Sequence, residues 1–146
     1  MIRKIFILFV ALISLNGIAK ASDGKLIDRQ QLPVKSQQIL KEYFHRAAIS
    51  YIKADEELFN KEYDVVFTDG SKVEFDKEGN WKSISVKEMQ VPARLIPNQI
   101  KNHIHKNFPD NKIVEFEKDK KGYEAKLSNG LELKFDNNFR LKKVDD

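Results

Sequence analysis

The sequence predicts an α+β protein made of two tandem units, each a helix followed by four antiparallel strands. Three observations predict it. The stretch YDVVFTDGSKVEFD, residues 63–76, returns in weaker form as YEAKLSNGLELKFD, residues 123–136. Each copy is preceded by apolar residues spaced four apart, and each is followed by one more short strand-like run. A leader of different character, residues 1–21, stands in front of both.

The leader opens with Arg3 and Lys4, runs apolar from Ile5 to Ile13, and ends on the small-x-small run Ala19–Ala21. That order of charge, apolar run and small residues is expected of a secretory signal. The apolar run is too short for a bilayer span, which needs about 20 residues. Cleavage after Ala21 leaves residues 22–146, and the unit boundaries then fall at 22–88 and 89–146, with the charged turn KEMQVPARL at the junction. Export to the periplasm or beyond the cell is the expectation, with no transmembrane anchor in the mature chain.

Removing the leader changes the charge argument. The formal charge of +4 includes Arg3, Lys4 and Lys20, so the mature chain carries 23 basic against 22 acidic residues. That balance does not attract phosphates, and nucleic acid is excluded as a partner. There is no cysteine, which rules out disulfides, thiol chemistry and a lipid anchor on an N-terminal Cys.

In the two copies Tyr63/Tyr123, Gly70/Gly130, Phe75/Phe135 and Asp76/Asp136 are identical. Each copy is two alternating runs joined by Asp-Gly or Asn-Gly, a strong hairpin signal. A two-residue loop would set Tyr123 against Asp136 and mix core with charge. A three-residue loop instead pairs Tyr123 with Phe135 and Ala125 with Leu133, and sets Glu124 opposite Lys134 and Lys126 opposite Glu132 on the other face. Type I turns with Gly70 and Gly130 in left-handed conformation are therefore expected.

Upstream, Leu32, Ser36, Leu40 and Phe44 fall in register with Ile96, Ile100, Ile104 and Phe108, the spacing of one helix face. A proline near each start marks a helix entrance. Short strands follow at 49–53 and 113–117, and a last strand follows each hairpin, near 81–86 and 141–144. One such unit is small for a stable core, and a second copy enlarges it. Phe44, Tyr63, Phe67, Phe75, Phe108, Tyr123 and Phe135 are expected to fill that core solid.

The leader, ILKEYF, ISYIKAD, YDVVFTDGSKVEFDKEGNW, VPARLIP and YEAKLSNGLELKFD together resemble the secreted PepSY-like, β-lactamase-inhibitor-like proteins of Bacteroides-type bacteria. The resemblance covers essentially the whole mature chain. It implies a BLIP-like curved antiparallel sheet of up to eight strands with helices on one face and the other face open. In the inhibitor that lends the family its name, the open face grips the target enzyme. The resemblance brings no catalytic residues.

No constellation argues for an enzyme. His103 and His105 are two apart on a helix and point to different faces, so they do not form a metal-gripping i, i+4 pair. Solvated helix histidines are the expectation for His45, His103 and His105. Asp76, Glu78 and Asn80 alternate like a calcium loop, but an EF-hand needs Gly where Trp81 stands and a bidentate Glu where Lys87 stands. That stretch is read as a turn. No phosphate-cradling loop, nucleophile elbow or H-E-x-x-H is present, and no cofactor or metal is expected.

Binding has more to work with. The first unit carries four extra residues in KADEELFNKEY, which place Leu58 and Phe59 in a charged loop. They form either an apolar tip that anchors a partner or, as the simpler expectation, side chains tucked back onto the sheet edge or core. Tyr51 stands where the second unit has Glu115, on an open face or packed against a neighbouring strand. Trp81 matches Leu141 and is expected in the core. The face carrying Glu124, Lys126, Glu132 and Lys134, with Asp64, Val66, Lys72 and Glu74 as first-unit equivalents, is expected to be solvated. Two functions follow: a protein-interaction module restraining an envelope enzyme such as a peptidase, with contacts at Leu58, Phe59 and Tyr51, or a carrier of a small envelope ligand between helices and sheet. Self-association through sheet edges is a third possibility.

Overall fold

The computed structural model describes residues 24–146; the leader 1–21 and its cleavage site lie outside the described residues. Nine strands form one antiparallel sheet in sequence order. They are β1 (Lys25–Ile27), β2 (Ile49–Glu57), β3 (Asn60–Phe67), β4 (Lys72–Phe75), β5 (Trp81–Ser85), β6 (Ile113–Asp119), β7 (Gly122–Leu127), β8 (Glu132–Phe135) and β9 (Leu141–Asp145). Helix α1 (Val34–Tyr43) precedes β2, and α2 (Asn98–Asn107) precedes β6. The architecture is α+β with an open nine-stranded sheet, one strand more than the eight expected. The extra strand, β1, has three residues, too few to carry a legible alternation in the sequence.

The helices form where four-residue apolar spacing meets a proline. Pro33 and Pro97 sit at the N-caps, where a missing N–H costs nothing. Leu40 and Phe44, then Ile100 and Ile104, are buried in the same cluster as Ile52, Val65, Val73, Phe75, Ile84, Phe116, Ala125 and Leu133. Alternate strand residues therefore supply one core face, and both helices lie on it. Phe44 stacks on Phe67 at 5.5 Å between ring centroids. Burying each such aromatic is worth about 2 kcal/mol against leaving it in water. Of the aromatic core residues expected from sequence, Phe108 and Tyr123 are only partly buried.

The hairpins take the register that the alternation demanded. Tyr123 pairs with Phe135, Glu124 with Lys134, Ala125 with Leu133 and Lys126 with Glu132; Tyr63 pairs with Phe75 and Asp64 with Glu74. Gly70 and Gly130 have φ of 87° and 91°, and their N–H groups donate back to Phe67 and Leu127 at 3.0 and 2.9 Å. The two halves of the sheet meet where β5 pairs with β6, setting Ser83 against Glu117, Ile84 against Phe116 and Ser85 against Glu115. Trp81 is buried at this seam, its ring 5.6 Å from that of Phe116.

Candidate functional site: an apolar hairpin tip beside a charged sheet face

The four-residue insertion does not make a loop. It lengthens β2 and β3 into a hairpin that outruns its neighbours: β1 reaches no further than Ala54 and β4 no further than Tyr63. Beyond those residues, among the described residues, β2 and β3 pair with each other alone, Asp55 with Glu62, Glu56 with Lys61 and Glu57 with Asn60. Leu58 and Phe59 form the two-residue turn at its end.

Both are 96% exposed. This overturns the expectation that they tuck back, and the physical reason is reach: three residue pairs of ribbon carry the turn past the ends of β1 and β4, away from the apolar core of the described residues. Leu58 has φ of 48°, a conformation that favours Gly or Asn and costs a bulky side chain about 1 kcal/mol or more. The ribbon below the tip carries Asp55, Glu56, Glu57 and Glu62 against Lys61, so two large apolar side chains stand on an acidic stalk. Lys82 pairs with Glu62 and steadies the stalk's base.

The sheet face opposite the helices begins at that stalk. Tyr51 lies on it, 46% exposed, one strand from Val66. Cross-strand pairing continues a row through Lys53, Asp64, Glu74, Ser83, Glu117, Glu124 and Lys134. This face is half-buried, not freely solvated, and its carboxylates show it. Burial pushes Glu124 up to about 7, Glu132 and Glu117 adding to the effect and Lys134 opposing it. Burial likewise raises Glu117, with Glu115 and Glu74 contributing, and raises Asp64 against the pull of Lys72. Lys72 bonds Glu74 at 2.5 Å and lies 4.0 Å from Asp64. The sequence showed the charges but not their desolvation, which comes from neighbouring strands closing in on both sides.

Among the described residues, clefts open on the surface at two places that bear on binding. One of about 500 Å³ lies at the end of α1, lined by Tyr43, Phe44, Phe67 and Met89 together with His45 and Asp69. The other, about 410 Å³, lies beside Trp81, Pro97 and Tyr123, with the Lys118 ammonium 4.3 Å from the Trp81 ring centroid. Of the histidines, His45 is exposed, but it follows α1 and is not on it. His105 is exposed on α2. His103 departs from expectation: it is half-buried and packs edge-on against Phe135 at 5.7 Å. Among the described residues no three His, Asp or Glu side chains converge as a metal site would require, and no described helix is long and apolar enough to cross a membrane.

Comparison with known proteins agrees with this architecture. A family model described as "Putative beta-lactamase-inhibitor-like, PepSY-like" matches residues 61–143, a span that starts just after the tip. A solved "putative calcium-regulated periplasmic protein" from Bacteroides thetaiotaomicron is 43% identical with a TM-score of 0.84, covering 86% of this chain and 99% of its own. A "putative periplasmic protein" of the DUF2874 family from Bacteroides vulgatus is 41% identical with a TM-score of 0.82, at the same coverage. Another from Bacteroides vulgatus, of unknown function, is 34% identical with a TM-score of 0.79, covering 84% of this chain and 99% of its own. No curated protein matches. The chain belongs to the PepSY-like family.

Proposed function

We propose that this protein is a non-enzymatic interaction module of the cell envelope, exported by cleavage near Ala21, which holds a protein partner with the Leu58–Phe59 tip. The two helix-plus-four-strand halves are read as a tandem repeat that serves as a rigid scaffold for that hairpin. The observation that carries the reading is the tip itself. Two large apolar side chains stand fully in water on a hairpin whose turn is strained to present them. Stability alone does not favour that choice, and exposed aromatic anchors are what binding hot spots use. The acidic stalk defines the partner's side: an apolar pocket with a cationic rim, steered into contact by charge. Tyr51 and the neighbouring sheet face would flank such a partner. The periplasmic descriptions of the relatives suit an envelope enzyme, such as a peptidase, as the restrained target.

The relative described as calcium-regulated raises the question of a metal here. Asp76 Oδ1 already accepts from the Glu78 and Asn80 backbone N–H groups at 2.9 Å each. Asp136 closes the matching turn in the same way with Asn138 and Arg140. The described residues do not assemble a calcium cage, and no calcium step is assigned.

The carrier reading finds its best support in the 500 Å³ cleft. It is weaker because the core between helices and sheet is filled by buried side chains.

The test is capture from the native envelope fraction with the exported protein as bait, beside a Leu58→Ser/Phe59→Ser variant. Any captured protein is then purified and titrated directly. Binding weakened a hundredfold or more by the double substitution supports the tip. Binding unchanged by it moves the contact to the sheet face, and no partner at any salt concentration overturns the reading.

A further inference from the structure

The strand β9 presents an edge with no partner among the described residues. Its counterpart in the first half, β5, has the same relation to its own hairpin. Phe75 pairs with Trp81 after a register shift at Glu74/Phe75, as Phe135 pairs with Leu141 after a shift at Lys134/Phe135. On β5 the outer edge is covered by β6, and Val86 N–H donates to Val114 O at 2.9 Å. Trp81 and Ile84 are consequently 6% and 0% exposed, whereas Leu141 and Val144, at matching positions of β9, are 37% and 44% exposed.

Backbone alternation tells which groups of β9 are free. Leu127 N–H donates to Leu131 O, so on β8 the residues Glu132 and Lys134 bond outward to β9. They face Asp145 and Lys143, which leaves the N–H and C=O of Val144 pointing to the open edge.

The charges of β9 are out of phase with the strand it already has. Lys134 lies opposite Lys143, and Glu132 lies opposite Asp145, two like-charged pairs where a sheet prefers opposite ones. On β9 the diagonal Lys134–Asp145 contact at 3.7 Å and the in-strand Lys143–Asp145 pair at 2.9 Å relieve them. The same order is complementary to itself. Turned antiparallel about Val144, a second β9 sets Lys143 opposite the partner's Asp145 twice, Val144 opposite the partner's Val144, and Lys142 opposite the partner's Asp146.

We infer that β9 is the two-fold interface of a homodimer, in which two copies join β9 to β9 antiparallel, centred on Val144, into one continuous sheet with helices on the same face. A closed two-fold contact uses up both edges, so it stops at two copies. The other edge is blunted by the three-residue β1. This inference does not depend on the hairpin tip.

Sedimentation velocity on the exported protein over about three decades of concentration tests it, since a dimer must respond to mass action. The expected result is a reversible dimer. Lys143→Glu improves pairing with Lys134 within the fold but opposes the partner's Asp145, and should weaken the dimer about tenfold while the monomer stays folded. Lys143→Asp with Asp145→Lys restores the alternation and should restore the dimer. Val144→Pro removes an outward N–H, tolerated on an edge strand, along with a partly exposed valine side chain, and should abolish it. Val144→Cys, in a chain without cysteine, should cross-link copies on mild oxidation. A protein monomeric throughout, or a dimer indifferent to Lys143→Glu and Val144→Pro, overturns the inference.

Discussion

Glu117 and Glu124 lie directly opposite each other where β6 meets β7, two carboxylates on the half-buried open face of the sheet. Glu124 faces Lys134 on its other side, and Glu117 accepts a long 3.4 Å hydrogen bond from Ser83. Desolvation pushes Glu124 up to about 7 from its ordinary 4.5, with Glu132 and then Glu117 adding to the effect and Lys134 opposing it.

The pH dependence follows from the direction of that shift. A carboxyl whose folded pKa is raised favours the folded state while protonated, so its contribution is full below about 4.5 and is lost as pH rises through about 7. Glu124→Gln should therefore be neutral near pH 4 and stabilising above pH 7. The gain should be about 1 kcal/mol once solvent screening of this partly exposed group is allowed for. Urea unfolding of both proteins at the two pH values measures it. A gain of equal size at both would show that the carboxyl does not titrate in the folded state as argued.

Leu58 offers a stability test separate from binding. Its φ of 48° suits glycine, and its side chain is fully in water, so nothing is lost by removing it. Leu58→Gly should raise stability by about 1 kcal/mol, whereas Phe59→Ser should leave it unchanged. Thermal unfolding reads both. Destabilisation by Leu58→Gly would mean that the side chain packs somewhere.

Gly122 and Gly130 both have positive φ, 144° and 91°, but their surroundings differ. A Cβ at Gly122 would lie 2.0 Å from the Phe135 carbonyl oxygen, a backbone atom of β8, which is held between β7 and β9; at Gly130 it meets nothing within 4 Å. Gly130→Ala should cost about 1 kcal/mol from conformation alone. Gly122→Ala should cost about 3 kcal/mol or more, since β7 must move off its neighbours. Equal costs in denaturant titrations would refute the close approach.

Ser36 is fully buried on α1, and its hydroxyl donates to the Gly79 carbonyl at 3.1 Å. That bond ties the helix to the β4–β5 turn. Ser36→Ala should cost about 1–2 kcal/mol by leaving the buried carbonyl without its donor, measured by the same titrations. A neutral result would mean water replaces the hydroxyl.

Much of the fold was legible because it is local. Asn129-Gly130 and Asp69-Gly70 fix the two hairpins and their registers, since any other pairing would put charge on the core face. Four-residue spacing fixes α1 and α2. The surface was less legible, as the half-buried His103 and desolvated Glu124 show, because the burial of a side chain depends on elements distant in sequence.

The amino-acid sequence by itself determined two helices, the paired hairpins and which residues of each strand face the core, because periodicity and turn chemistry act between near neighbours. The tertiary structure decided the rest. It set where β1 and β4 stop, and so how far Leu58 and Phe59 project. It brought Glu117 against Glu124 by closing β6 on β7. It covered Ile84 while leaving Val144 at an open edge, since a strand's neighbours, unlike its alternation, are settled only when the whole sheet is assembled.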